Sequence, residues 1–183
     1  PATPCIAVSY VGSTLLLEER LPDEASFAEA IAAVGRWLGS PATAVCTLEA
    51  ARALSAAAQE TGRTAAVHLK IDTGMGRLGI RPDEALEFVR ALRALPGIRL
   101  EGIYTHFATA LERERAFMQR QLRAFLRVTA AIEKAGLGRP LLHAANSAAL
   151  LRAEVAHLDM VRPGTVLYGQ YPAPHLPRRL DLR

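Results

Sequence analysis

The stretch Val67-His68-Leu69-Lys70-Ile71-Asp72 divides its side chains by parity. In an extended strand Val67, Leu69 and Ile71 share one face, and His68, Lys70 and Asp72 share the other. A strand of a parallel sheet ordinarily reads apolar on both faces. One polar face places this strand on the inner wall of a barrel, near its mouth. The strand runs directly into Thr73-Gly74-Met75-Gly76-Arg77. Two glycines around one residue permit close backbone approach, and the arginine that follows offers a fork of donors.

The rest of the chain alternates apolar strands with amphipathic helices. Strands are expected at 14–17, 44–46, 66–71, 100–105, 141–145 and 159–161. Helices are expected at 23–38, 47–61, 82–95 and 111–135, with a short one after Ser147. Thr47 is the expected cap of the second helix, and Gly62 and Gly136 the expected stops. Strand and helix in alternation imply βα units, a parallel sheet and helices on the outside, either of a barrel or of an open sheet. The end of strand 66–71, the end of strand 100–105 and the segment after Asp159 then deliver Lys70, His106 and Arg162 toward one rim. In a (β/α)8 barrel that rim holds the active site.

Composition narrows the chemistry. Among 183 residues there are 22 basic ones and a net charge of +4. Only Lys70 and Lys134 are lysines, so the cations are almost all arginine. They are scattered beside Glu and Asp on helices, and aromatics are 5% of the chain. A nucleic-acid groove needs clustered cations interleaved with aromatics, so no nucleic-acid partner is expected. No apolar run spans a bilayer, and no membrane partner is expected. Cys5 and Cys46 lack metal-binding spacing and fit free thiols in a reducing, cytoplasmic setting. No metal site is expected.

Each polar group has a structural reading beside the functional one. Lys70 and Asp72 can pair with each other. Asn146-Ser147, between a strand and a helix, can serve as a cap; a capped helix start is also a phosphate site. Arg162-Pro163-Gly164-Thr165 can be an ordinary turn, or can present the N–H groups of Gly164 and Thr165 to a phosphate at the last barrel strand. The four features in barrel order carry more weight than any one alone.

Together these residues resemble alanine racemase. The resemblance runs from about Ala44 to Tyr168 on four motifs: 68–79, 102–108, Asn146-Ser147-Ala148-Ala149, and Asp159-Met160-Val161-Arg162-Pro163-Gly164 with Leu167-Tyr168-Gly169. It implies an α/β fold, a partial (β/α)8 TIM barrel of roughly strands three to eight. Residues 1–176 would form this cofactor domain, and 177–183 would begin the connection to a C-terminal β domain. It implies pyridoxal 5'-phosphate as cofactor, an amino-acid substrate, a cytoplasmic homodimer and D-alanine for peptidoglycan. Arg77 would meet the cofactor's phenolate oxygen and orient substrate. Lys70 would be the lysine that is carbamylated in many members, holding Arg77. Ser147 and the backbone of Gly164 and Thr165 would bind phosphate, with Asn146 against it. Arg162 would face the pyridine nitrogen, and His106 would hydrogen-bond to Arg162.

The chain departs from the family in three places, the least of them Leu111-Glu112, where an Asp usually follows the segment matching 107–110. The family's lysine on the first barrel strand, in a Lys-x-Asp/Asn-Ala-Tyr-Gly setting, has no match, and neither has the tyrosine of the C-terminal β domain. The expectation is a racemase fragment that is inactive alone. The alternatives are a racemase of serine or basic amino acids, and a non-catalytic relative that binds the cofactor.

Overall fold

The computed structural model describes residues 5–6, 19–20 and 43–178. The expected strand 14–17, the helix 23–38 and the connection after residue 178 lie outside the described residues. Strands β1 (Cys5–Ile6) and β2 (Glu19–Arg20) pair antiparallel.

The remaining elements are β3 (Thr43–Val45), α1 (Leu48–Glu60), β4 (Ala65–Lys70), α2 (Ala85–Arg93), β5 (Ile98–Tyr104), α3 (Ala116–Lys134), β6 (Leu141–His143) and α4 (Ser147–Arg152). Strands β3, β4, β5 and β6 form one parallel sheet in that order. Each strand is thus followed by a helix and then by its own neighbour, the connectivity of a TIM barrel.

Local chemistry sets the boundaries. Thr47 Oγ1 accepts from Ala50 N at 3.2 Å and caps α1. Gly62 (φ 64°) and Gly136 (φ 72°) follow α1 and α3 in the left-handed region, where a side chain is strained. Two helices start later than their periodicity suggests. Residues 82–84 form a turn before α2. Residues 111–115 are not helical, because Arg152 of α4 takes the carbonyls of Ala110 (3.3 Å), Glu112 and Arg113 (3.1 Å). A carbonyl directed at a guanidinium is not turned along a helix axis.

The expected strand 159–161 is a single bridge, His143 to Met160. Asp159 N donates to Leu142 O at 3.0 Å, and Arg162 N donates to Ala145 O at 2.9 Å. Between them the Asp159 carboxylate takes the N–H of Leu142 at 2.8 Å, where a ladder would use a carbonyl. The segment runs alongside β6 without completing a strand.

The parity of β4 sorts the molecule into two layers. Val67, Leu69 and Ile71 are fully buried and pack with Val45, Leu54, Phe88, Leu92, Ile103 and Phe125 between sheet and helices. The opposite face of the sheet carries His68, Lys70, Tyr104 and His143. The aligned rows are Lys70 beside Tyr104 beside His143.

Candidate functional site

The inner face holds a chain of hydrogen bonds that spans three neighbouring segments. Arg162 Nη1 lies 2.6 Å from His143 Nδ1, and His143 Nε2 lies 2.7 Å from His68 Nδ1. A guanidinium only donates, so His143 accepts at Nδ1 and carries its proton on Nε2. That proton is given to His68 Nδ1, which leaves the proton of neutral His68 on Nε2. Burial, followed by the charge of Arg162, pushes the His143 pKa far below its usual range. Burial also lowers His68, in part against the pull of Glu101. Both imidazoles are therefore neutral acceptors and relays.

Gly102 makes room for this chain. A Cβ there would come within 2.7 Å of His68 Nδ1 and Cε1. Tyr104 stacks on His143 with ring centres 4.8 Å apart and 7° between planes. The Arg162 guanidinium lies 4.9 Å from the Tyr104 ring centre. Its Nη2 donates to Thr105 O at 2.8 Å and Ala144 O at 3.3 Å. Burial lowers the Arg162 pKa to about 10, which leaves it charged near neutrality.

His106 is not the histidine that holds Arg162. Strand β5 ends at Tyr104, so strand parity no longer aims the ring of His106. His143 sits on β6, between β5 and the bridge at Met160, and takes that place instead. His106 nonetheless lies inside the cationic cluster. Its pKa falls to about 4, through burial and then the charges of Arg162, Lys70 and Arg77 in that order. Lys70 is 2% exposed, with its ammonium 5.9 Å from the Tyr104 ring centre.

Arg77 reaches the same rim from an exposed loop. Asp72 Oδ1 accepts from the N–H groups of Gly74 (2.9 Å), Met75 (2.7 Å) and Gly76 (3.2 Å), and Oδ2 accepts from Gly76 at 2.9 Å. The carboxylate is thus the centre of a turn. Behind the turn, Asp72 N donates to Ile80 O at 2.8 Å and Ile80 N to Lys70 O at 3.0 Å. Closure there demands a glycine: Gly79 has φ +128°, and a Cβ would meet Asp72 N at 2.7 Å.

At the far end, Asn146 Oδ1 accepts from Ala149 N at 3.0 Å, so its side chain caps α4. Ser147 is buried, and its Oγ accepts from Val166 N at 3.4 Å. A Cβ on Gly164 would stand 3.9 Å from that hydroxyl. The structure therefore brings Ser147 beside the segment 164–166, which includes Gly164 and Thr165. His68 and His143 were assigned no site role from sequence. Their signal was available: His68 shares the polar face of Lys70, and His143 ends the next strand but one.

Comparison with known proteins agrees with this layout. Residues 12–172 match the family model described as "Alanine racemase, N-terminal domain". The alanine racemase of Desulfovibrio desulfuricans is 45% identical over 135 residues, covering 74% of this chain and 36% of that protein. The alanine racemase of Synechocystis sp. is 43% identical over 155 residues, covering 85% and 41%. Among solved structures, alanine racemase of Clostridium difficile 630 in complex with cycloserine superposes with a TM-score of 0.77. It is 36% identical, with 85% of this chain and 43% of that chain covered. The chain thus spans about two fifths of the length of the relatives it matches.

Proposed function

Because the chain belongs to the alanine racemase family, as its N-terminal domain, we propose that it forms the cofactor-holding face of an enzyme interconverting L- and D-alanine. The observation that carries this reading is the convergence of Arg77, Lys70, Arg162 and His106 at one rim of a parallel sheet. Ser147, Gly164 and Thr165 lie together on the segments that follow the sheet.

The donor set suits pyridoxal 5'-phosphate. The Ser147 hydroxyl and the N–H groups of Gly164 and Thr165 would take the phosphate, with Asn146 ordering the helix start beneath it. Arg162 would face the ring nitrogen and Arg77 the phenolate oxygen. When bound, the cofactor supplies an electron sink that acidifies the hydrogen on the substrate α-carbon. Arg162 restrains that sink. It would stay charged and donate a hydrogen bond, but would not hand the ring nitrogen a proton as a carboxylic acid would. His143, held neutral, gives Arg162 an acceptor without giving it a negative charge. A restrained sink favours return of the proton to the α-carbon over transfer elsewhere. Lys70, buried within a cationic cluster, is the carbamylation candidate that would supply an anion beside Arg77.

Racemisation needs an acid–base group on each face of the substrate. We assign neither to this chain. Lys134 is the last residue of α3, and Lys70 is buried on β4. The covalent lysine and the catalytic tyrosine would come from other parts of a cytoplasmic homodimer that makes D-alanine for peptidoglycan.

The test is to express the complete reading frame and follow L-alanine with pyridoxal phosphate added. Formation of D-alanine by that protein, and none by residues 1–183 alone, is expected. Racemisation of serine or a basic amino acid in place of alanine would overturn the substrate. Reversible cofactor binding with no racemisation of any amino acid would overturn the activity.

A further inference from the structure

The inward face of α3 reads Met118, Gln121, Leu122, Phe125, Thr129 and Ile132. Gln121 is out of place in that row. It is 1% exposed, at a position where an apolar side chain would pack without cost. Its amide is fully engaged. Oε1 accepts from Ala108 N at 2.9 Å, and Nε2 donates to His106 O at 3.2 Å and to Thr73 Oγ1 at 3.3 Å. The backbone partners fix the orientation of the amide, because an N–H only donates and a carbonyl only accepts.

Thr73 Oγ1 also lies 2.7 Å from Thr105 Oγ1. Thr105 is fully buried, and its carbonyl accepts from Arg162. One glutamine therefore joins the exit of β5, which carries His106, to the turn that carries Arg77. A second contact comes from the same helix, one turn earlier. A Cβ on Gly74 would meet Phe117 Cζ at 2.8 Å, so the loop backbone lies directly against α3. Asp72 folds the turn upon itself, and α3 adds contacts that hold the folded turn against the exit of β5.

We infer that Gln121 is a positioning residue, fixing the Arg77 turn against the exit of β5 through Thr73, Thr105 and Ala108. It touches neither substrate nor cofactor. The inference rests on the reading that Arg77 meets both.

Two substitutions remove the link in different ways, each in the protein from its complete reading frame. Gln121→Met keeps volume and loses the amide; Thr73→Val keeps shape and loses the hydroxyl. Amide hydrogen exchange at residues 74–77 should quicken about tenfold in either, the scale of one lost hydrogen bond. The kcat/KM for alanine should fall by roughly tenfold to a hundredfold, because a displaced Arg77 no longer meets its partners. Thr73→Ser should restore both readouts. The double variant Gln121→Met with Thr73→Val should lose less than the two single variants summed, since both cut the Gln121–Thr73 bond.

Unchanged exchange at residues 74–77 in folded Gln121→Met would overturn the inference. Should that variant not fold, unchanged exchange in Thr73→Val does the same. Arg77→Lys separates the two levels. Unaltered kcat/KM in Arg77→Lys would remove the assigned role of Arg77, while exchange would still decide whether Gln121 places the turn.

Discussion

Arg162 is held by a histidine and carbonyls from the neighbouring segments; Arg77 rides on a turn that is closed mainly on the Asp72 carboxylate. The first has His143, Thr105 and Ala144 as partners and lies deep enough for burial to lower its pKa to about 10. The second is exposed, and the order of its surroundings comes from one carboxylate collecting the N–H groups of Gly74, Met75 and Gly76. The contrast suits two tasks. A charge that only tunes a ring nitrogen gains from rigidity. A charge that meets an arriving substrate needs access, and its precision must come from the loop beneath it.

The comparison predicts unequal costs on removal. Arg162→Met should have the largest effect. It strands the His143 Nδ1 and two carbonyls without their donor, and should destabilise by roughly 3–5 kcal/mol in urea unfolding. A loss below about 1 kcal/mol would show that Arg162 is not integral to the inner layer.

Next come the glycines of the Arg77 turn. Gly79→Ala places a Cβ 2.7 Å from Asp72 N at φ +128° and should cost about 2–4 kcal/mol. Gly76→Ala has a φ of +69°, in the left-handed region that an alanine can enter at modest cost, and open space around it, and should cost about 1 kcal/mol. A loss in Gly79→Ala no larger than in Gly76→Ala would mean that closure against Asp72 does not set the turn.

Acid should act on the inner layer next. The folded His106 has a pKa of about 4, against 6.5 unfolded, and His68 and His143 are lowered as well. The unfolded chain then binds more protons below pH 6.5. Stability is complete above that pH and falls as pH drops toward 4, by roughly 2 kcal/mol for His106 after allowance for its partial exposure. His106→Gln should flatten this part of the profile in denaturant titrations at several pH values. A profile that rises toward acid would contradict the neutral histidines.

The smallest stability effect belongs to Arg77→Ala, within about 0.5 kcal/mol as for an exposed side chain. In the complete protein the same change should abolish most racemisation. Together with Arg162→Met it separates the structural arginine from the one that serves substrate.

Much of this arrangement was readable in residue parity. The split faces of β4 placed Lys70 inside and Val67, Leu69 and Ile71 outside, as found. The caps at Thr47 and Asn146 and the stops at Gly62 and Gly136 were readable because they depend on neighbours in the chain. Long-range competition was not readable. Nothing near residues 111–115 reveals that Arg152, some forty positions on, takes their carbonyls. Nor does parity tell which of two histidines reaches Arg162, since His106 lies past the end of its strand while His143 lies within one. Gln121 drew no expectation from sequence, because its partners come from two other segments.

The most direct test is nuclear magnetic resonance of the two guanidinium groups in the complete protein. Hydrogen bonds to His143, Thr105 and Ala144 should give Arg162 separate, slowly exchanging Nη–H signals. Arg77, exposed on its turn, should exchange its Nη–H protons with water faster than Arg162 does. Averaged signals from Arg162, or equally slow exchange from both arginines, would contradict the division between a fixed charge and an accessible one.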